Sequence, residues 1–310
     1  MTRQNELLRR SVVSELEDYL KKKFHKSTVL HLFGSSVNGF GTNSSDLDIC
    51  LSCSPNLQKR RLIRTVANKL RSIDSIEKLW SRPRTRVPII SFIHKPSQFE
   101  VELSINNHWP LHNSDLLRRY SAVDERCRVL VHLMKHVAKQ SCIIGPQHQF
   151  ISSYAYTLMV VHYLQHTHPP VLPVLQQLQR PHNAGEPPHT LDGCSTYFYK
   201  RSNQHLRSAW PDLHTNEQSC GELWKGMLSF YTDGGGRVVS IRRISPPHSK
   251  MDRLQIEDPF ETHRDLGSNL TPHTMHRIQQ VLQYALDQCG GITPQLCENN
   301  NWSPSLFCPP

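Results

Sequence analysis

The chain has no run of about 18 apolar residues, so the sequence offers no transmembrane helix, and its N-terminus lacks the apolar core of a secretory signal. Its nine cysteines are odd in number and irregularly spaced, which excludes a disulfide framework and paired zinc knuckles. Cys50-Leu-Ser-Cys53 has no second pair nearby, so these thiols read as packing groups. No internal repeat is present. Acidic residues are scarce, with 26 Asp and Glu against 36 Lys and Arg, which gives a net charge of +10 before 19 histidines are considered. These features predict a soluble, reduced, intracellular protein that meets a polyanion and has no membrane partner. At 310 residues and 37% hydrophobic, the chain can bury the cores of two compact domains.

The most informative stretch runs from His31 to Leu51. Apolar runs at Val29 to Phe33 and Leu47 to Leu51 flank Gly34, Gly39 and Gly41, a pattern of strand, turn, short helix, turn and strand. Side chains alternate along a strand, so Asp46 and Asp48 share one face while Leu47, Ile49 and Leu51 turn to the core. Two carboxylates that close repel unless a cation neutralises them, and Mg²⁺ held by carboxylates and substrate phosphates is the commonest such cation. Gly34-Ser35-Ser36 adds close backbone approach, hydroxyls and free amides at a helix start, which together make an anion pocket.

Further along, Asn56 to Leu70 predicts an amphipathic helix with Lys59, Arg60, Arg61, Arg64 and Lys69 outward, either an RNA-attracting face or a solvated one. Arg82, Arg84 and Arg86 alternate in an extended segment, a phosphate-tracking pattern. Phe99 to Ile105 alternates as well and delivers Glu100 and Glu102 to one sheet face. Helices then dominate. Lys135 and Lys139, four apart in a helix over Asp124 to Gln140, share a face with Arg128 and His132. Ser152 and Ser153 cap a helix that begins with Tyr154 and Tyr156. Gln179 to Asn203 predicts a long loop, Asp233-Gly-Gly-Gly236 a flexible link, Arg237 to Ile241 a strand and Thr271 to Leu286 a last helix.

The Gly34-Ser35 and Asp46-x-Asp48 signature resembles that of the DNA polymerase β-like nucleotidyltransferases, in the branch of template-independent terminal uridylyltransferases and cytoplasmic poly(A) polymerases. The likeness extends with gaps from about Val29 to Val281, and Ile256-Glu-Asp-Pro-Phe-Glu261 is its second mark. It implies an α+β fold: a polymerase β-like nucleotidyltransferase domain of mixed sheet and helices, and a mostly helical poly(A)-polymerase-associated domain. The active site would lie in the cleft between. The implied division is an opening helix over 1–25, with the helical domain as one surface it could pack on, a catalytic domain over 26–110, a helical nucleotide-recognition domain over 111–289 and a disordered tail over 290–310.

By resemblance, Asp46 and Asp48 bind Mg²⁺ or Mn²⁺, and Glu102 stands where the family has a third aspartate. That departure raises a catalytically impaired RNA-binding or scaffold subunit as an alternative. Gly34 and Ser35 would hold the triphosphate, and Lys135 and Lys139 its β- and γ-phosphates. Asn113 and Ser114 lie in the segment that contacts the ribose, where a helix N-cap is the plain structural role for Asn113. Ser153 would add a phosphate contact and Tyr154 would stack on the base. Asp258, Glu261, His263 and Arg264 lie in the part that closes over the base. The family's uracil-selecting histidine would fall at Arg264, with His263 one residue earlier. Addition of UMP to RNA 3′ ends is favoured over addition of AMP from ATP. The implied partners are an RNA 3′ end, UTP or ATP, and an RNA-recruiting protein. The acids Glu6, Glu15, Glu17 and Asp18 in the amphipathic N-terminus argue against a mitochondrial presequence, so the cytoplasm is the expected compartment.

Overall fold

A computed structural model describes residues 1–53, 58–179, 190–233, 238–244, 253–291 and 303–309. The chain forms two compact units, Met1–Arg119 and Tyr120–Pro310. The border, expected near residue 110, falls between Arg119 and Tyr120, further along the helix Trp109–Val123.

The first unit contains α1 (Arg3–Lys23), β1 (Val29–Leu32), a single 3-10 turn at Gly34–Ser36, β2 (Leu47–Ser52) and α2 (Lys59–Leu70). It continues with β3 (Ile76–Arg82), β4 (Ile89–His94), β5 (Phe99–Ile105) and the start of α3 (Trp109–Val123). The strands form one mixed sheet in the order β1-β2-β5-β4-β3, in which only β2 and β5 run parallel. Period-2 alternation decides its faces. Leu47, Ile49 and Leu51, Val101 and Leu103, and Ile90 and Phe92 are buried in the core, joined by Leu62, Ile63, Val66 and Leu70 of α2. Val12, Leu16 and Leu20 of α1 enter this same core, so the opening helix is part of the sheet unit. The expected helix over 56–70 begins at Lys59, and its first residues lie outside the described ones.

The second unit holds α4 (Glu125–Gln140), α5 (Ser153–Gln165), α6 (Asn203–Ala209), α7 (Cys220–Thr232) and α8 (Pro272–Gln288). Tyr120 is its polar hub: the buried hydroxyl accepts from Gln165 Nε2 at 2.9 Å and from the Leu175 amide at 3.2 Å. A small hairpin pairs β6 (Thr190–Leu191) with β7 (Cys194–Ser195). Its turn is Asp192-Gly193, both residues at positive φ, the requirement that selects Asp-Gly for tight hairpins. Val238–Val239 (β8) pairs in parallel with Gln255–Ile256 (β9), a shorter strand than expected. The bulk of the predicted loop, 180–189, and the glycine run 234–236 lie outside the described residues.

The described part of the tail, 303–309, departs from the expected disorder. Pro304–Phe307 forms a 3-10 turn against α4 and α8, and Phe307 is buried with its ring 5.5 Å from that of Trp224. A polar, proline-rich segment can thus be held by one aromatic that finds a pocket.

Candidate active site

Gly34 opens the site. Its φ of +64° is left-handed, and a Cβ placed there would collide with Asp48 Oδ2, so two independent constraints select glycine. The Gly34 amide donates to Ser114 Oγ at 2.7 Å, and the Ser114 hydroxyl donates to the Pro110 carbonyl at 2.6 Å. Ser114 therefore supports the glycine turn. Asn113 is buried within α3, four residues past its start, which removes the N-cap role.

Asp46 precedes β2 and is exposed, and Asp48 lies within the strand, half-buried. Asp48 pairs directly across the parallel ladder with Glu102 of β5, so the two carboxylates leave the same face side by side. Glu102 is still in contact with solvent, but its carboxyl is pushed above the usual range. Partial desolvation is the first cause and the negative charge of Asp46 the second, against an opposing pull from Arg82 and from the Ser91 hydroxyl at 3.5 Å. Asp48 and Glu102 thus stand side by side with the charge of Asp46 reaching Glu102, three hard oxygen donors whose mutual repulsion a divalent cation would relieve. Among the described residues no three His, Cys, Asp or Glu side chains form a ready cage.

Arg9, which the sequence reading passed over, holds the acid loop from below. It is 1% exposed, and its guanidinium donates to Asn5 Oδ1 at 2.7 Å, to Ser36 Oγ and the Asp46 carbonyl at 2.9 Å each, and to the carbonyls of Asn43 and Ser45. Its plane lies over the Phe99 ring, 4.5 Å from the centroid. Burial lowers its pKa while Asp46 and Asp48 raise it, and a guanidinium so placed remains a cation at neutral pH. One signal was available: Arg9 falls in step with Val12, Leu16 and Leu20, on the buried stripe of α1.

In the second unit, Lys135 and Lys139 lie one turn apart on α4, Lys135 half-buried and Lys139 exposed. Ser152, and not Ser153, caps α5, accepting from the Ala155 amide at 3.2 Å. Ser153 is the first helical residue, and Tyr154 follows half-buried, its hydroxyl with no hydrogen-bond partner among the described residues. Burial, then the charge of Asp258, push the Tyr154 phenol well above its ordinary range. Asp258 is fully buried and accepts from the amides of Phe260 at 3.0 Å and Glu261 at 3.1 Å, which folds the loop tightly. Arg264 Nη1 donates to Glu261 Oε2 at 3.0 Å and lies 3.7 Å from Asp258 Oδ2. His263 points to solvent. The structure therefore brings Tyr154, Asp258, Glu261 and Arg264 together and leaves His263 outside that cluster.

Comparison with known proteins agrees with this architecture. A family profile described as poly(A) RNA polymerase, mitochondrial-like, central palm domain, matches residues 1–122. Human terminal uridylyltransferase 7 is 37% identical over 276 residues, covering 85% of this chain and 18% of that protein. Zebrafish poly(A) RNA polymerase GLD2 is 32% identical over 261 residues, covering 77% of this chain and 50% of the relative. The chain thus spans half or less of the length of these relatives. Among solved structures, the Cid1 poly(U) polymerase with Mg and 3′-dATP aligns at a TM-score of 0.82 and 26% identity, covering 99% of this chain and 94% of that one. The mtPAP complex with ATPγS aligns at 0.87 and 20% identity, covering 100% and 70%, a likeness of fold.

Proposed function

The chain belongs to the RNA terminal nucleotidyltransferase family that includes the terminal uridylyltransferases and the GLD2 poly(A) polymerases, and from that premise we propose that it adds nucleotides, UMP favoured, to RNA 3′ ends without a template. The observation that carries this reading is the side-by-side pairing of Asp48 and Glu102, with Asp46 and the Gly34 turn beside them.

Asp46, Asp48 and Glu102 would hold the divalent cations, Mg²⁺ or Mn²⁺, which supply Lewis-acid polarisation of the phosphates and a lowered pKa for the RNA 3′-hydroxyl. Gly34 and Ser35 present the turn that receives the triphosphate, and Arg9 and Ser114 hold that turn in place. Lys135, Lys139 and Ser153 would add phosphate contacts, Asn113 would meet the ribose, and Tyr154 would stack on the base. In the reaction the 3′-oxygen attacks the α-phosphorus and one P–O bond forms. The bond from the α-phosphorus to the oxygen that bridges it to the β-phosphate breaks, pyrophosphate leaves with that oxygen, and the hydroxyl proton passes to water. The protein contributes position and charge.

A second reading, AMP addition from ATP, is favoured by the loop that would read the base. Arg264 would offer donors to the two uracil carbonyls, but Glu261 and Asp258 already engage it, and His263 is turned to solvent. Incubating the purified chain with labelled RNA, Mg²⁺ or Mn²⁺ and each ribonucleotide separately tests both. UTP-dependent extension, abolished by Asp46→Ala or Asp48→Ala, is the expected result. Preference for ATP in equimolar competition would replace the first reading with the second. Inertness with every nucleotide would leave a scaffold subunit, the role for which the longer Glu102 is the observation.

A further inference from the structure

The row of residues that contains the acids does not stop at Glu102. Across the ladders Asp48 faces Glu102, Glu102 faces Ser91, and Ser91 faces Trp80 on β3. Residues paired in this way project from the same face, so Trp80 stands on the acid face, two strands beyond Glu102, or about 10 Å at ordinary strand spacing. β3 is the edge of the sheet, and Trp80 is 41% exposed there. The Arg82 guanidinium lies over its ring, 4.4 Å from the centroid, and its charge reaches Glu102.

Beyond this edge the chain turns at Arg84, which with Gln58 and with Arg60, Arg61 and Arg64 of α2 lines a cleft of ≈ 470 Å³. All four arginines are exposed, and among the described residues none of them pairs with a carboxylate. Like charges gathered in a concave site repel, and a polyanion that enters relieves the repulsion while receiving the planar donor forks that suit phosphate. An aromatic platform followed by a basic groove is what sequence-tolerant binding of single-stranded nucleic acid requires, because every base has a face to stack and every nucleotide a phosphate to pair. An acidic peptide would use the groove and leave Trp80 idle.

We propose that the RNA strand upstream of the 3′ end crosses the sheet edge, stacking a base on the Trp80–Arg82 pair, and lays its phosphates in the Arg60–Arg61–Arg64–Arg84 cleft. This rests on the reading that an RNA 3′ end is extended at the acids and deepens it by naming the strand's path.

The test measures binding of the whole chain to fluorescent oligouridylates in metal-free buffer, so it does not depend on extension. With an RNA of about 15 nucleotides, the fourfold Arg-to-Gln variant at 60, 61, 64 and 84 should bind at least about tenfold more weakly, and its log-affinity against log-salt slope should shrink by about 3. With an RNA of about three nucleotides, too short to reach the cleft, the same variant should lose less than about twofold. Trp80→Ala should weaken the long RNA about fivefold or more, and Trp80→Phe should recover most of that loss. All five side chains are exposed, and melting curves matching wild type would confirm that the variants fold. Equal losses for long and short RNA, or unchanged affinity in the fourfold variant, would overturn the path. So would polyglutamate of matched length displacing the long RNA at equal concentration while Trp80→Ala has no effect, which would make the cleft a protein site. Long-RNA binding that follows the variants in a chain that extends nothing would uphold the path and reject the proposed catalysis.

Discussion

Removing Arg9, a buried side chain, would leave the carbonyls of Asn43, Ser45 and Asp46 without this donor and open a void beneath the loop. Arg9→Ala should therefore cost about 3 kcal/mol or more of stability, read from denaturant midpoints. Arg9→Lys keeps the charge but not the fork, so it should recover part of the stability while extension stays depressed. Stability and extension both at wild-type level in Arg9→Lys would show that charge alone positions the loop. The contrast with Asp46 and Asp48 shows what a sequence can reveal at this scale. Two acids at period 2 between apolar strand residues announce their face, because strand geometry leaves no choice. An arginine on the apolar stripe of a helix reads as a snorkelling surface residue, since its partners are backbone carbonyls of a loop distant in sequence. Trp80 was hidden for a related reason: its neighbours on the acid face come from two other strands, and only the register of β4 and β5 aligns them.

Asp124 fastens the start of α4. Its Oδ1 accepts from the Arg126 amide at 2.9 Å and its Oδ2 from Arg126 Nη2 at 2.8 Å, while Arg126 Nη1 reaches Asn216 Oδ1 at 2.9 Å. Burial on its own would raise the Asp124 carboxyl, but the hydrogen bonds and charge of Arg126 prevail and hold it below the ordinary range. A folded pKa depressed below the unfolded one stabilises above the unfolded value, about 4, and that stabilisation is lost as pH falls through the folded value. Asp124→Ala should cost about 2 kcal/mol at neutral pH, and the gap from wild type should narrow below about pH 4. A gap independent of pH would mean that the carboxylate charge plays no part. The start of this helix was legible to within one residue from its amphipathic run, but the sequence counts Asp124 into the helix, and its role as the cap appears only in the structure. The C-terminal turn was not legible. Its Asn, Pro and Cys composition signals a loop, and nothing local tells that Phe307 has a pocket beside Trp224. Phe307→Ala should destabilise the second unit by about 3 kcal/mol, measured by thermal unfolding, and a change below about 1 kcal/mol would show the turn to be dispensable.

For the molecule as a whole, charge and catalysis make separable demands. The net charge of +10 includes the exposed arginines that line a basic cleft on α2 and the turn after β3. Nucleic-acid attachment through such groups works by counterion release, so it weakens steeply with salt and owes nothing to a divalent ion. Chemistry at Asp46, Asp48 and Glu102 has the opposite dependence, since carboxylates that repel one another and the triphosphate cannot assemble at one place without a neutralising cation. Chelation by EDTA at constant ionic strength should therefore abolish extension while RNA affinity changes by less than about twofold, and raising monovalent salt from about 50 to 200 mM should lower RNA affinity by about tenfold or more. The measurements are anisotropy for binding and gel extension for activity on the same RNA. If EDTA released the RNA as well, the cations would be bridging RNA to the acids and the arginines would not be its main hold. If extension survived EDTA, Asp46, Asp48 and Glu102 would have to act as a general base and not as metal ligands, and the raised Glu102 carboxyl would be the group to examine first.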